Sequence, residues 1–265
     1  MHKNHDLLSQ AELKRAMDEC GMGGSAVYVE SCDSTNLHAR RLRDEGLLDM
    51  SCVLAQEQTS GRGRAGRSWL SAAGKGLYIS IYSAHGLEAR LAPLMALLAA
   101  VAVCEALSAL GADAKIKWPN DIVIGPEKVC GILVEGGQGW SIAGIGINVS
   151  GEKSEYGGEL AGKAASLNMC GVDATRPQVL SRLLCSYKEN YDALLRGGEG
   201  ILEKYRSLCV NVGSDVMVHE RDRSYKARAV DVAADGALIV REAGEVQVKK
   251  VYAGDVSVRG IMGYV

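Results

Sequence analysis

KIKWPNDIVIGPEKVCGILVEGGQGWSIAGIGINVS, residues 115–150, holds three β-rich runs, KIKWPNDIVIG, VCGILVEGG and SIAGIGINVS, broken only by a Pro-Asn-Asp turn and by glycines. Strands therefore follow one another with no helix between each pair, which predicts an α+β fold: a mixed or mostly antiparallel sheet backed by helices, not a Rossmann-type alternation. Just upstream, Leu91 to Leu110 is apolar and alanine-rich but is interrupted by Pro93 and Glu105. A membrane span needs about 20 strongly apolar residues, so this segment reads as a buried central packing helix.

Working outward, LYISIYS (77–83), CVLAQEQ (52–58) and AVYVES (26–31) read as further strands. Ser34 caps a helix through LHARRLRDEG, and Ser9 with Glu12 forms a capping box for a short helix ending near Gly21. Downstream, 151–173 is Gly- and Glu-rich and reads as loop, while 176–209 carries helical spacing through Val179, Leu183, Leu184, Tyr187, Tyr191, Leu194 and Leu195. From Asn211 the texture changes to short alternating strands, DVMVHE, SYKARAVDV, ALIVRE and VQVKKVYAGDVSV, with an Asp235-Gly236 hairpin turn. These observations divide the chain into 1–210 and a small all-β, barrel-like module over 211–265.

The chain has 265 residues and a formal net charge of -2. No overall basic field is present to hold long nucleic acid, so any phosphate binding has to come from a local cluster. The N-terminal run MHKNHDLLSQAELKRAM carries charges where a signal peptide needs an apolar stretch. Eight cysteines show no CxxC pair and no His ligand spacing, and read as reduced thiols without zinc or a disulfide framework. A cytoplasmic protein with no membrane partner is expected.

Between CVLAQEQ and LYISIYS lies a polar loop of 59–76, long enough to call for a functional reason. In SGRGRAGRSW (60–69), Arg62, Arg64 and Arg67 alternate with Gly61, Gly63 and Gly66. Guanidinium forks match phosphate oxygens and glycine amides approach the same anion closely, so the loop reads as a phosphate clamp, with Trp69 as a stacking face for an adenine. The glycines also match GxGxxG, but RSWLSAAGKG has no helical period to follow them, which argues against a dinucleotide fingerprint. The bland alternative is a solvated basic loop or an RG-type nucleic-acid contact. Without apolar anchors, residues 59–74 are expected to be mobile until an anion arrives.

In 115–137, Lys117, Asn120 and Asp121 gather at one turn, the lysine suited to phosphate and the two oxygen donors to Mg2+. Lys128 follows beside an apolar strand in which Gly131 leaves room for a ligand. SCDSTN (31–36) puts hydroxyls and an amide at a strand-to-helix turn, for which capping by Ser34 is a sufficient structural explanation; GIGIN (144–148) is likewise explicable as a plain strand.

SCDSTN, EQTSGRGRAGRSWLS, KWPNDI, EKVCGILVE and GIGINV, in this order and at these intervals, closely resemble the biotin-protein ligases over about residues 26–150. The C-terminal module more loosely resembles the SH3-like barrel that follows in that family. The resemblance implies activation of biotin by ATP with Mg2+ to biotinyl-AMP, then transfer to a lysine of a biotin carboxyl carrier domain. It implies biotin contacts from Ser34, Thr35, Asn36, Gln58, Arg62, Gly63, Arg64, Lys128, Gly131 and Leu133, and nucleotide contacts from Arg62, Arg64, Arg67, Trp69, Lys117, Asn120 and Asn148. Lys128 and Arg64 would be catalytic cations, and Asp121 the acidic residue near the reacting centre, serving metal or acceptor lysine. About 25 residues precede the first strand, too few for the DNA-binding domain that some members carry, so a monofunctional ligase with no nucleic-acid partner is expected, a homodimer being one assembly to test. The alternatives are a lipoate-type acyl-protein ligase on the same fold and, in another class, an RNA-binding module.

Overall fold

The computed structural model describes residues 6–86, 93–156, 161–197, 200–253 and 257–260. Strands β1 (Ala26–Cys32), β2 (Ser51–Gln58), β3 (Gly76–Ser83), β4 (Ala114–Lys117), β5 (Asp121–Ile124), β6 (Glu127–Gly137) and β7 (Trp140–Asn148) form a seven-stranded sheet in the order β1-β2-β3-β7-β6-β5-β4. The β1–β2 pair is parallel and every other pair is antiparallel, so the sheet is mixed and mostly antiparallel, as expected. KIKWPNDIVIG, read as one run, is two strands folded back at Trp118–Asn120, with a cis Trp118–Pro119 bond in the turn.

Helices α1 (Gln10–Glu19), α2 (Thr35–Asp44), α3 (Leu94–Ser108), α4 (Arg176–Leu195) and α5 (Ile201–Leu208) complete the larger part. Among the described residues the helical run 176–209 is two helices and 151–173 contains a 3-10 turn at Lys153–Glu155; 157–160 and 198–199 lie outside the described residues. Strand periodicity sorts the side chains between two faces. Leu77, Ile79 and Ile81 of β3 and Ala143, Ile145 and Ile147 of β7 point into a core shared with α1, α3 and α4. Helix α3 is apolar all round because it is buried on every side, between the sheet and α4 with α5. Truncating one of its core leucines, such as Leu98, is expected to cost about 2–5 kcal/mol.

The opposite face carries only a small cluster, Ala39 of α2 with Val53, Tyr82 and Ile142. Since α2 covers only part of this face, the rest of it, over β7, β6 and β5, is left as the floor of a cleft.

Local capping signals explain the starts of α1 and α4. Ser9 Oγ accepts from the Glu12 amide at 3.2 Å, and Thr175 with Gln178 forms a reciprocal capping box at α4. Ser34 occupies the N-cap of α2, but its side chain makes no capping bond, so the capping explanation of this residue does not hold. At the outer edge of β1, the Gln10 carboxamide accepts from the Tyr28 amide and donates to the Ala26 carbonyl, both at 2.9 Å.

The all-thiol reading of the cysteines is corrected: Cys20, at the end of α1, is disulfide-bonded to Cys185 of α4. Spacing rules inspect sequence neighbours, and these two are 165 residues apart, joined by the packing of α1 on α4. The other six cysteines are free, and Cys52, Cys104, Cys130 and Cys209 are buried.

Strands β8 (Asp215–His219), β9 (Ser224–Val232), β10 (Leu238–Glu242), β11 (Val248–Val251) and β12 (Ser257–Gly260) form a separate antiparallel sheet, β11-β10-β9-β8-β12, as expected for an SH3-like module. It is fastened to the larger part by Trp118 Nε1 donating to the Gly236 carbonyl at 3.0 Å and by Arg206, which donates to the Val232 carbonyl and pairs with Asp231 at 2.7 Å. Residues 91–92 of the expected central helix, 254–256 of the last strand run, and the termini 1–5 and 261–265 assigned to the two divisions lie outside the described residues.

Candidate active site

The open face of the sheet forms a cleft of about 540 Å3, a size common for ligand pockets, and every site residue named from the sequence lines it. Its floor is built on glycines at register-paired positions. Gly131 of β6 faces Gly146 of β7, and Leu133 faces Gly144. A Cβ at Gly146 would collide with Trp69 Nε1, and one at Gly131 would lie 2.8 Å from Trp69 Cζ3, so the missing side chains are what admit the indole. A Cβ at Gly144 would collide in the same way with Asn36 Oδ1.

At one end the walls are polar and buried. Ser34, Thr35 and Asn36 open α2 and are each under 5% exposed. Gln58 Oε1 accepts from the Thr35 amide at 2.9 Å and from Thr35 Oγ1 at 3.2 Å, while Gln58 Nε2 donates to Ser71 Oγ at 2.7 Å. Ser80 Oγ lies 2.8 Å from Thr35 Oγ1 and 2.6 Å from Asn36 Oδ1, and Asn36 Nδ2 donates to the Leu133 carbonyl at 3.1 Å. Buried polar groups joined this way hold fixed orientations.

At the other end the cleft is cationic. Arg64, Arg67, Lys117, Lys128, Lys163 and Arg259 line it, and Asp121 is the sole carboxylate among the described lining residues. Lys117 is 5% exposed, and its burial lowers its pKa to about 8; nearby Asp121 opposes the shift, whereas Lys128, Arg259 and Arg67 add to it. Asn148, also buried, donates from Nδ2 to the Ala165 carbonyl at 3.0 Å.

Lys128 reaches the cleft through a β-bulge. The β5–β6 register pairs Ile122 with Cys130 but Val123 with Lys128, so Val129 is the extra residue. Val129 and Cys130 both turn into the core, and Lys128 is re-aimed to the cleft face, where its Nζ lies 2.5 Å from Asp121 Oδ1 and 5.2 Å from the centre of the Trp69 ring.

The arginine-glycine loop is itself a small hairpin. The Trp69 amide donates to the Gly61 carbonyl at 2.8 Å and the Gly63 amide to the Arg67 carbonyl at 2.7 Å, with Ala65 and Gly66 at positive φ in the turn. It is pinned at three points: Arg62 to Glu135 at 3.2 Å; Arg64 to Asn120 Oδ1 at 3.0 Å and to the Ala253 carbonyl; and Trp69 on its glycines. Trp69 is the apolar anchor that the composition of 60–67 did not suggest. No helix follows the glycines, in keeping with the rejection of a dinucleotide fingerprint.

Sequence reasoning missed Ser71, Ser80, Glu135, Ala253 and Arg259. A polar Ser80 within the apolar strand LYISIYS was the visible signal for one of them; Arg259 arrives from the C-terminal sheet, and nothing local marks it.

The cleft thus places a pocket of fixed donors and acceptors beside a bank of cations, which suits a polar head group joined to a polyphosphate. Comparison with known proteins names the kind. The biotin/lipoate A/B protein ligase family matches residues 28–152, and the biotin protein ligase C terminal domain matches 213–259. The bifunctional ligase/repressor BirA of Bacillus spizizenii is 30% identical over 257 residues, which cover 94% of this chain and 78% of that protein. The chain belongs to the biotin protein ligase family. Another relative in that family, the biotin–[acetyl-CoA-carboxylase] ligase of Mycobacterium tuberculosis, is 30% identical over 79% of each chain. The solved biotin protein ligase of Aquifex aeolicus in complex with biotin and ATP has a TM-score of 0.74 and 28% identity, covering 89% of this chain and 99% of that one.

As for metal, no group of three or more His, Cys, Asp or Glu side chains that could hold one occurs among the described residues, and Asp121 has no second carboxylate beside it among the described lining residues. A resident Mg2+ site at Asp121 therefore does not fit this arrangement; an ion carried in by ATP, with phosphate oxygens and water as its ligands, needs none.

Proposed function

We propose that this chain activates biotin with ATP to biotinyl-5'-AMP, releasing pyrophosphate, and transfers the biotin to a lysine of a biotin carboxyl carrier domain. The observation that carries the reading is the continuity of the cleft: a buried polar pocket and a cationic bank share one floor, with Lys128 between them. A ureido head group offers two N–H donors and a carbonyl acceptor to the Thr35, Asn36 and Gln58 network. A dithiolane ring offers none and would leave the remaining hydrogen-bonding capacity of that network unused in a desolvated pocket, which favours biotin over lipoate.

In the first step the biotin carboxylate attacks the α-phosphate of MgATP, the new P–O bond forming as the bond to pyrophosphate breaks. Lys128 stabilises the charge on the carboxylate and α-phosphate oxygens, while Lys117, Arg64, Arg67 and Arg259 hold the phosphates and Trp69 with Asn120 and Asn148 borders the nucleotide. Arg62 and Gly63 with Gly131 and Leu133 close the biotin side. In the second step the acceptor amine attacks the acyl carbon and AMP leaves. Among the described lining residues, Asp121 is the one carboxylate placed to meet an incoming ammonium.

We further propose that the chain divides near residue 210, the 211–265 module supplying Arg259 and the Ala253 carbonyl to the site. A cytoplasmic location fits the use of ATP and the six free cysteines, although the Cys20–Cys185 bridge is a feature more usual in oxidising compartments. No described helix is long and apolar enough to cross a membrane.

The test is pyrophosphate release with ATP and biotin, then with an apo-carrier domain added, each repeated with lipoate. Release dependent on biotin and label transfer dependent on the carrier are expected. Equal turnover with lipoate, or polyanion binding with no release, would replace the reading.

A further inference from the structure

We propose that Glu135 is a positioning residue whose single carboxylate locks the arginine-glycine loop to the head-group pocket; this rests on the biotin reading given above. Glu135 is not itself part of the cleft lining, yet strand alternation sets it on the same face of β6 as Gly131 and Leu133. Its two oxygens serve two different elements. Oε1 accepts from Arg62 Nη1 of the loop at 3.2 Å, and Oε2 accepts from Asn36 Nδ2 at the start of α2 at 2.9 Å.

The Asn36 contact fixes polarity. Leu133 O and the Glu135 carboxylate can only accept, so the Asn36 amide must turn its NH2 towards both and its Oδ1 towards Ser80 Oγ. A pocket that reads donors and acceptors on a head group depends on that orientation. The Arg62 contact fixes position. Arg62 pairs with Ser68 across the loop hairpin, next to the Gly61–Trp69 bond, so holding Arg62 also holds the strand that lays Trp69 on its glycines. Removing the carboxylate loosens both at once: the Asn36 amide keeps only the Leu133 carbonyl to hold its NH2 in place, and the loop loses the pin at its base while Arg64 still holds its tip.

The experiment measures biotin Kd, the rate of biotinyl-AMP release from the preformed complex, and the KM for ATP in Glu135→Ala, Glu135→Gln, Arg62→Ala and the double variant. Glu135→Ala should raise biotin Kd and adenylate release by roughly tenfold each, the scale of one charge-assisted hydrogen bond, with the KM for ATP within about twofold of the original. Glu135→Gln keeps an oxygen for Asn36 but not the charge for Arg62, so it should restore biotin Kd and leave release fast. Arg62→Ala, which also removes a side chain from the biotin side of the cleft, should speed release, and adding it to Glu135→Ala should give no further increase in release. Additive release in the double variant, or unchanged biotin Kd and release in Glu135→Ala, would overturn the lock while leaving the ligase reading intact. Failure of the unmodified protein to bind biotin would remove both.

Discussion

Lys128 and Asp121 face each other across the β5–β6 hairpin with Nζ 2.5 Å from Oδ1, in a contact that exists only because the bulge at Val129 turns Lys128 out of the core. The lysine is thereby held in place before substrate arrives, which removes a reorganisation step from the reaction.

Lys128→Ala should lower adenylation by about 10²- to 10³-fold, the usual loss when one preorganised stabiliser of developing charge is removed, while biotin affinity falls less. Pyrophosphate release measured beside calorimetric biotin binding separates the two. Turnover at the original rate would retire Lys128 from the mechanism.

Arg64→Ala should let biotinyl-AMP escape. Arg64 ties the loop tip to Asn120 and, across the chain, to the Ala253 carbonyl, so its loss opens the loop at its tip. Retention of radiolabelled adenylate on a filter should drop sharply; unchanged retention would leave the loop tip without a role in holding the intermediate.

Gly144→Ala should weaken biotin binding by about tenfold or more, because its Cβ would occupy the place of Asn36 Oδ1 and overpacking of this sort costs about 1–3 kcal/mol. The KM for ATP should move little. Calorimetry with biotin alone reads the effect, and unaltered affinity would show that Asn36 is free to shift.

Lys117 should impose an alkaline limb on ATP use. Burial lowers its pKa to about 8, so in the free enzyme its charge is present below that pH and lost above it. The kcat/KM for ATP should therefore fall as pH rises through about 8, and Lys117→Arg, charged throughout, should flatten the fall. Stability runs the other way. An unfolded lysine titrates near about 10.4, so between about 8 and about 10.4 the unfolded chain binds more protons and folding gains stability as pH rises. A pH profile identical in the arginine variant would assign the limb to another group.

The sequence exposed the sheet and the cleft unequally. Successive apolar runs in 115–150 disclosed antiparallel pairing because strand order follows chain order there, and the motif residues from Ser34 to Asn148 converge because they sit at strand ends and on one sheet face. What stayed hidden depends on contacts between distant segments. Cys20 meets Cys185 only through helix packing, Arg259 reaches Lys117 only after the C-terminal sheet docks, and Lys128 points to the cleft through one extra residue that no periodicity displays. Ser34 misled in the opposite sense, since its position was that of a cap and its hydroxyl makes no capping bond.

Gln10 gives the sheet an end. Strand β1 is an edge, and an edge with open amides and carbonyls is a template for another chain to join. The Gln10 carboxamide already occupies the Tyr28 amide and the Ala26 carbonyl, presenting to them the donor and acceptor that an eighth strand would bring. One side chain from α1 thus blocks the first part of that edge to an added strand, and does so without a proline or a bulge that would distort the strand leading into Ser34 and the pocket.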